Sequence, residues 1–300
     1  MKLLITGGTG MIGSALTESL LRDGHKVIVL TRDPAKVKSN QPGVTLVKWD
    51  ARTSTGWGHL VEEVDAIVNL AGESLSSGLW TPKRKQRILS SRVNAGRVVV
   101  QALESAKRKP AVLIQSSGVG YYGVKDPALL SEDAPLGDDY LASVGREWEA
   151  STQPVEALGV RRVTIRSGVV FSKKGGALRL MLLPFRFFVG GPLGSGRQWL
   201  SWIHIEDEVR AIRFLIENKQ ASGAFNLAAQ PVTNGEFSKF AGKVLRRPSF
   251  IRIPAFVLKL VLGEMSTTVL DGQRVSAKKL TDLGNQFKFE RIEDALQDLV

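Results

Sequence analysis

The chain has no cysteine in its 300 residues. That excludes disulfides, thiol nucleophiles and cysteine-ligated zinc. Histidine is nearly as scarce, with three copies, and no His, Asp or Glu spacing suggests a metal site, so none is expected. Long apolar runs are missing too. The nearest, residues 255–262, is far too short to cross a bilayer, and no membrane partner is expected. A strand is expected to open at Lys2, which leaves no stretch with the character of a signal or transit peptide. A cytoplasmic protein is therefore the default expectation. Acidic residues are comparatively few: 41 Lys and Arg against 29 Asp and Glu, for a net charge of +12.

The densest basic cluster is Lys83, Arg84, Lys85, Arg87, Arg92, Arg97, Lys107, Arg108 and Lys109, opposed only by Glu104. A basic face of this kind suits nucleic acid or acidic lipid. No nucleic-acid motif or aromatic-interleaved basic stretch accompanies it, so the reading taken is a solvated helix that lends charge to a phosphorylated ligand. Composition is otherwise that of an ordinary globular chain, with 43% hydrophobic and 23% charged residues.

What is present is a glycine turn. Residues 1–13 read MKLLITGGTGMIG: a short apolar strand, a turn, then the start of a helix. Gly8-x-Gly10-x-x-Gly13 and the overlapping Gly7-x-x-Gly10-x-x-Gly13 fit a dinucleotide fingerprint. In it the first glycines allow the tight turn, Gly10 lets the backbone approach a pyrophosphate, and Gly13 lets helix pack close to strand. The helix N-terminus then offers N–H groups and partial positive charge to phosphate. The turn leads into an amphipathic run and a second strand ending at Leu30, which raises its value above that of a lone glycine pattern.

Strand and helix patterns alternate onward: strands at residues 44–49, 65–70, 111–115 and 162–166, with a long helix from about Pro82 to Ala106. Such alternation predicts an α/β fold, a Rossmann-type doubly wound parallel sheet with right-handed helical crossovers and ligands beyond the C-terminal strand ends. From about Gly168 the rhythm changes to glycine-rich loops around an apolar segment, 178–188, then a helix to Glu217 and a strand near Phe225. Residues 1–167 are expected to form the principal dinucleotide-binding part. Residues 168–300 are expected to form a mixed region that adds a smaller C-terminal substrate lobe and returns to the sheet.

The stretches Asn69–Glu73, Ser90–Val93, Gly120–Gly123, Trp148–Ala150, Arg166–Val170, Leu182–Phe185, Gly190–Pro192 and Trp202–Ile205 together resemble the extended short-chain dehydrogenase/reductase superfamily. Within it they are similar to an atypical subgroup of epimerase-family, nucleoside-diphosphate-sugar-epimerase-like proteins, over essentially the whole chain. The resemblance implies an NADP(H)-binding, epimerase-like or oxidoreductase-like protein acting on a polar metabolite. The alternative is a catalytically silent NADP(H)-binding sensor or partner-binding protein.

The cofactor contacts expected are Gly7, Thr9, Gly10, Met11, Ile12 and Gly13 at the turn, and Leu70, Ala71, Gly72, Ser116 and Val169 at strand ends. Thr31 and Arg32 close the second strand, where an acid would be needed to favour NAD. Arg32 suits a 2′-phosphate instead, so NADP(H) is the expectation. Arg92 is a further contact implied by the subgroup's Ser-Arg-Val pattern.

The superfamily's chemistry uses a Tyr and a Lys one helical turn apart, with a Ser or Thr holding the substrate oxygen. Ser117 matches the Ser. Tyr121 and Lys125 have the spacing, but the stretch contains Gly123 and is followed by Pro127. Alignment on Trp148-Glu149 puts Leu141 and Gly145 where the Tyr and Lys belong, so the usual pair is expected to be missing. Tyr121, Tyr122, Arg166, Arg186, Trp202 and His204 are candidates for the substrate side. Trp202 as a packing anchor and His204 as a strand-end hydrogen-bonding residue are the plainer alternatives.

Overall fold

A computed structural model describes residues 1–37, 42–124 and 128–300. Seven parallel strands form the central sheet: β1 (Lys2–Thr6), β2 (Lys26–Thr31), β3 (Val44–Lys48), β4 (Ala66–Asn69), β5 (Val112–Gly118), β6 (Arg161–Ser167) and β7 (Gly223–Leu227). Their order is β7-β6-β5-β4-β1-β2-β3, and every pairing is parallel. The chain runs outward from β1 through β2 to β3, then crosses back to β4 on the other side of β1. That reversal opens a crevice at the carboxyl ends of β1 and β4, the usual ligand position in such sheets.

The middle positions of β1, β2 and β4 and the first half of β5 are apolar because both faces of the sheet are covered there. Leu3 and Ile5 of β1, with Val27, Val29, Val68, Ile114 and Ile165, face one core. It is closed by Leu16 and Leu20 of α1 (Met11–Arg22) and by Ile212, Leu215 and Ile216 of α5 (Ile205–Glu217). The intervening residues Leu4, Ile28, Ile67 and Leu113 face a second core, closed by Val98, Val99, Ala102 and Leu103 of α2 (Pro82–Ser105). The period-two alternation of side chains along each strand thus builds two cores from one sheet. Between α2 and α5 the chain forms α3 (Tyr140–Ala150), and α4 (Ala177–Arg186) follows β6.

Beyond β6 the chain builds a third core from Phe171, Leu178 and Phe185, Trp202, Phe237 and Ala241 of α6 (Asn234–Leu245), and the last helix, Ile292–Leu299. A short parallel pair, Val169–Phe171 with Trp202–His204, stands at its base. β7 returns from this region to the sheet edge and pairs with β6.

Candidate cofactor and substrate site

The turn after β1 is sterically committed to glycine. Gly7 sits at φ +67°, and a Cβ there would lie 2.8 Å from the carbonyl of Leu70. A Cβ on Gly13 would press on the Gly7 carbonyl and stand 2.6 Å from Gly8 Cα, so the first turn of α1 touches the loop that precedes it. Gly10 closes the loop by donating its N–H to the Gly7 carbonyl at 2.9 Å. It also occupies the N-cap position of α1, with no side chain capping the helix. The first N–H groups of α1 are therefore left to whatever binds there. Thr9 is exposed, Met11 and Ile12 are half-buried, and Met11 abuts the loop at Gly176, so the C-terminal region borders the turn.

At the end of β2, Thr31 is buried and Arg32 is exposed; Arg32 makes no ion pair among the described residues. Asp33 is engaged by Lys36 at 2.9 Å. Thr6 donates to Asn69 Oδ1 at 2.6 Å, Asn69 Nδ2 donates to Gln115 Oε1 at 2.8 Å, and Gln115 Nε2 donates to the Ser116 carbonyl at 2.7 Å. This buried chain ties β1, β4 and β5 at the crevice floor. Sequence reasoning passed over it, although polar residues at the ends of otherwise apolar strands were the available signal. Leu70 and Val169 are half-buried and Ala71 and Ser116 buried at these strand ends.

Arg92 is neither solvated nor open to a ligand on all sides. It lies across Gly72, whose Cβ would come within 3.1 Å of its guanidinium carbon. Its Nη1 donates to the carbonyls of Glu73 and Ile88 at 3.0 and 2.9 Å, and its guanidinium covers the Trp148 ring at 4.8 Å. Burial pushes its pKa down to about 10, still charged at neutral pH. Two neighbours in the basic cluster also act inward: Arg84 and Arg87 both reach Glu73 Oε1 at 3.1 Å, and Arg84 Nη2 donates to Ser74 and Ser77. Arg84, Arg87 and Arg92 thus fasten the loop after β4, whereas Lys83, Arg97, Lys107 and Arg108 of the same cluster are exposed.

Ser117, at the end of β5, donates to Glu149 Oε1 at 2.7 Å. The carboxylate of Glu149 accepts Nε and Nη2 of Arg166 at 2.9 Å each. Nη1 of Arg166 donates to the Tyr122 hydroxyl and to the Glu132 carbonyl, both at 3.0 Å. Tyr122 in turn donates to Asn226 Oδ1 at 2.7 Å. The substrate-side candidates Arg166 and Tyr122 are thus brought together with Ser117, but as a buried network. Arg166 and Tyr122 are corrected from open ligand groups to members of it. Burial pushes the Tyr122 hydroxyl pKa up, outweighing the nearby Arg166.

Leu141 and Gly145 both lie on α3. A Cβ on Gly145 would meet Cα and Cβ of Tyr121 at 3.3 Å, and the Arg166 guanidinium covers the Tyr121 ring at 3.5 Å. The Tyr121 side chain fills the space beside Gly145. Lys125 lies outside the described residues. Tyr140 donates to the Lys85 carbonyl at 2.8 Å, and burial raises its pKa.

At two further positions the structure takes the plainer alternative over the substrate-side one. Trp202 is fully buried in the third core, stacked on Phe171 at 5.5 Å, with its indole N–H donated to the Gln230 carbonyl at 2.9 Å. His204 is buried and caps α5 by accepting from the Glu206 N–H at Nδ1, 3.1 Å. Its Nε2 stands 3.3 Å from Asp298 without hydrogen-bond alignment, and burial holds its pKa below the usual value. Neither faces the crevice as a ligand group; each is held by packing that its immediate sequence does not reveal. Arg186 is exposed at the end of α4, away from the network.

The pattern of the NAD dependent epimerase/dehydratase family matches residues 3–228. The chain belongs to that family. Residues 253–299 match a domain of unknown function, DUF1731. The chain is 42% identical to epimerase family protein YfhF of Bacillus subtilis, over 100% of this chain and 98% of that one. It is 39% identical to the chloroplastic SDR39U1 homolog of Arabidopsis thaliana, over 100% and 87% respectively. A crystal structure of human epimerase family protein SDR39U1 with NADPH superposes with a TM-score of 0.88 at 34% identity, covering 100% of this chain and 99% of that one. A UDP-glucuronic acid 4-epimerase from Bacillus cereus, at 16% identity and a TM-score of 0.80, shares the fold.

For this epimerase-family chain, the acid that sequence reasoning left unassigned is Glu149. It sits four residues beyond Gly145, on the same face of α3, and supplies the carboxylate that joins Ser117 to Arg166.

Proposed function

We propose that the chain binds NADP(H) at the strand ends and acts as an epimerase-like or oxidoreductase-like protein on a polar metabolite, without the superfamily's Tyr/Lys pair. The glycine cradle, the uncapped N-terminus of α1 and the exposed Arg32 fit a phosphorylated dinucleotide. The human relative solved with NADPH supports the same cofactor. Bound there, NADP(H) supplies the hydride-exchange chemistry. Arg32 would hold the 2′-phosphate, and the turn from Gly7 to Gly13 the pyrophosphate.

The observation that carries the unusual part is Gly145: Tyr121 occupies the space beside it, where a lysine side chain would otherwise lie. What remains to meet a substrate oxygen is the Ser117 hydroxyl, aligned by Glu149. The test is NADPH consumption with metabolites retained by the purified protein, using wild type and Ser117→Ala. A loss of about 10²-fold in rate with unchanged NADPH affinity supports the reading. The sensor alternative is favoured by the commitment of the Ser117, Tyr122 and Tyr140 hydroxyls to protein acceptors. It predicts tight NADPH binding and no turnover in wild type with any retained metabolite.

A further inference from the structure

α7 (Ala255–Leu262) is almost wholly apolar, yet none of its side chains is buried. Phe256 and Leu260 are 71% and 85% exposed, and Val261 is exposed beside them. The segment leading into α7 exposes Phe250 at 80%, and the end of α4 exposes Phe187 at 70% together with Phe188.

Backbone pairing joins these segments into one surface. Ile251 N–H donates to the Gly190 carbonyl at 3.2 Å, Ile253 N–H to Pro192 at 3.0 Å, and Gly194 N–H to Ile253 at 2.8 Å. The Arg247 guanidinium covers the Phe188 ring at 4.3 Å. A Cβ on Gly194 would lie 3.6 Å from the Cβ of Ala255, at the start of α7.

The charge on this face is predominantly positive, with Asp271 near Lys259 as a partial offset. No Asp or Glu occurs in residues 157–205 or 237–263. Arg179, Arg186, Arg246, Arg247, Arg252 and Lys259 are all exposed, and none forms an ion pair among the described residues. Contiguous exposed apolar patches of this kind mark interaction sites. Aromatic and aliphatic side chains interleaved with unpaired cations match an interfacial lipid environment, in which the apolar groups enter the acyl boundary and the cations meet anionic headgroups.

We propose that this face of the C-terminal region docks on an anionic lipid surface. A second copy fits poorly, because a twofold contact of the patch with itself would set the same unpaired cations against each other. Among the described residues no helix is long and apolar enough to cross a membrane, so the contact is peripheral. This departs from the expectation of no membrane partner, which weighed only the length of apolar runs. The groups assigned to NADP(H) lie elsewhere, so the two readings fail separately.

The experiment is co-sedimentation of the full chain with phosphatidylcholine vesicles, with and without phosphatidylglycerol, at rising salt. Wild type should sediment with the anionic vesicles, remain in solution with neutral ones, and be released by salt. The paired variant Phe256→Ser/Leu260→Ser should weaken partitioning by about tenfold or more, as expected when two apolar side chains leave the interface. Arg246→Glu/Arg247→Glu, which removes no apolar side chain, should weaken it as strongly. Both should keep the wild-type melting temperature and NADPH affinity. Wild type that stays in solution with anionic vesicles, or variants that bind as wild type does, would overturn the proposal. So would a dimer in analytical sedimentation that the Phe256/Leu260 variant converts to monomer, which would put a second copy on the patch.

Discussion

The Glu149–Arg166 pair offers a quantitative check on whether the network is a structural clamp. Two nitrogens of Arg166 contact two oxygens of Glu149 at 2.9 Å, with side chains only 6% and 13% exposed. Removing one member of such a pair strands the other charge away from water, a loss of about 3–5 kcal/mol. Arg166 keeps Tyr122 and the Glu132 carbonyl as partners, so the lower figure applies: about 3 kcal/mol for Glu149→Gln and about the same for Arg166→Met. In a chain of this size that is a fall of about 6 °C in melting temperature. The double variant strands neither charge. It should lose no more than about 3 kcal/mol, not the sum of about 6, giving a coupling of at least about 3 kcal/mol. Urea denaturation of the four proteins without cofactor measures this. Single losses that add to within about 0.5 kcal/mol would refute the clamp and leave Arg166 available to an anionic ligand.

Arg32→Ala should weaken NADPH by about one to two orders of magnitude, since hydrogen bonds to charged groups contribute about 1.5–3 kcal/mol, and should leave NADH nearly unchanged. Titrations at low and high salt check it: the preference should shrink with screening, and equal losses for both cofactors would remove the 2′-phosphate assignment. Glu208 is fully buried, and burial pushes its carboxyl up to about 7, opposed by the hydrogen bond that it accepts from the Ser167 hydroxyl at 2.6 Å. Because the folded protein holds this proton at a pH where the unfolded chain has released it, the contribution to stability is fully present below about pH 4.5 and lost as pH rises through about 7. Glu208→Gln should flatten that decline, by on the order of 3 kcal/mol between the two limits. Parallel wild-type and mutant stability curves between pH 5 and 8, at about 25 °C, would show that Glu208 is not the responsible group.

The sheet was legible because its determinants are local. Strands covered on both faces need short apolar runs, and each such run read in the first half of the chain lies in a strand of the central sheet. The glycine turn was legible for the same reason, since Gly7 and Gly13 answer to atoms at most one turn of chain away or on the adjoining strand end. Trp202 and His204 stayed open between two roles because an aromatic or a histidine near glycine-rich loops looks the same in sequence whether it faces a ligand or a core. Phe171, Phe289 and Asp298, which decide the matter, come from distant segments.

The amino-acid sequence by itself determined the inner strands, the glycine turn and the absence of lysine from α3, because each depends on residue type at short spacing. Only the tertiary structure decided what fills the space beside Gly145 and what the polar residues nearby do. Ser117 and Arg166 meet because β5 and β6 are register neighbours. Glu149 joins them from α3, and Tyr122 reaches Asn226 across 104 residues of chain. Long-range closure of that kind depends on how helices seat against the sheet, a property of the assembled cores that no local pattern records.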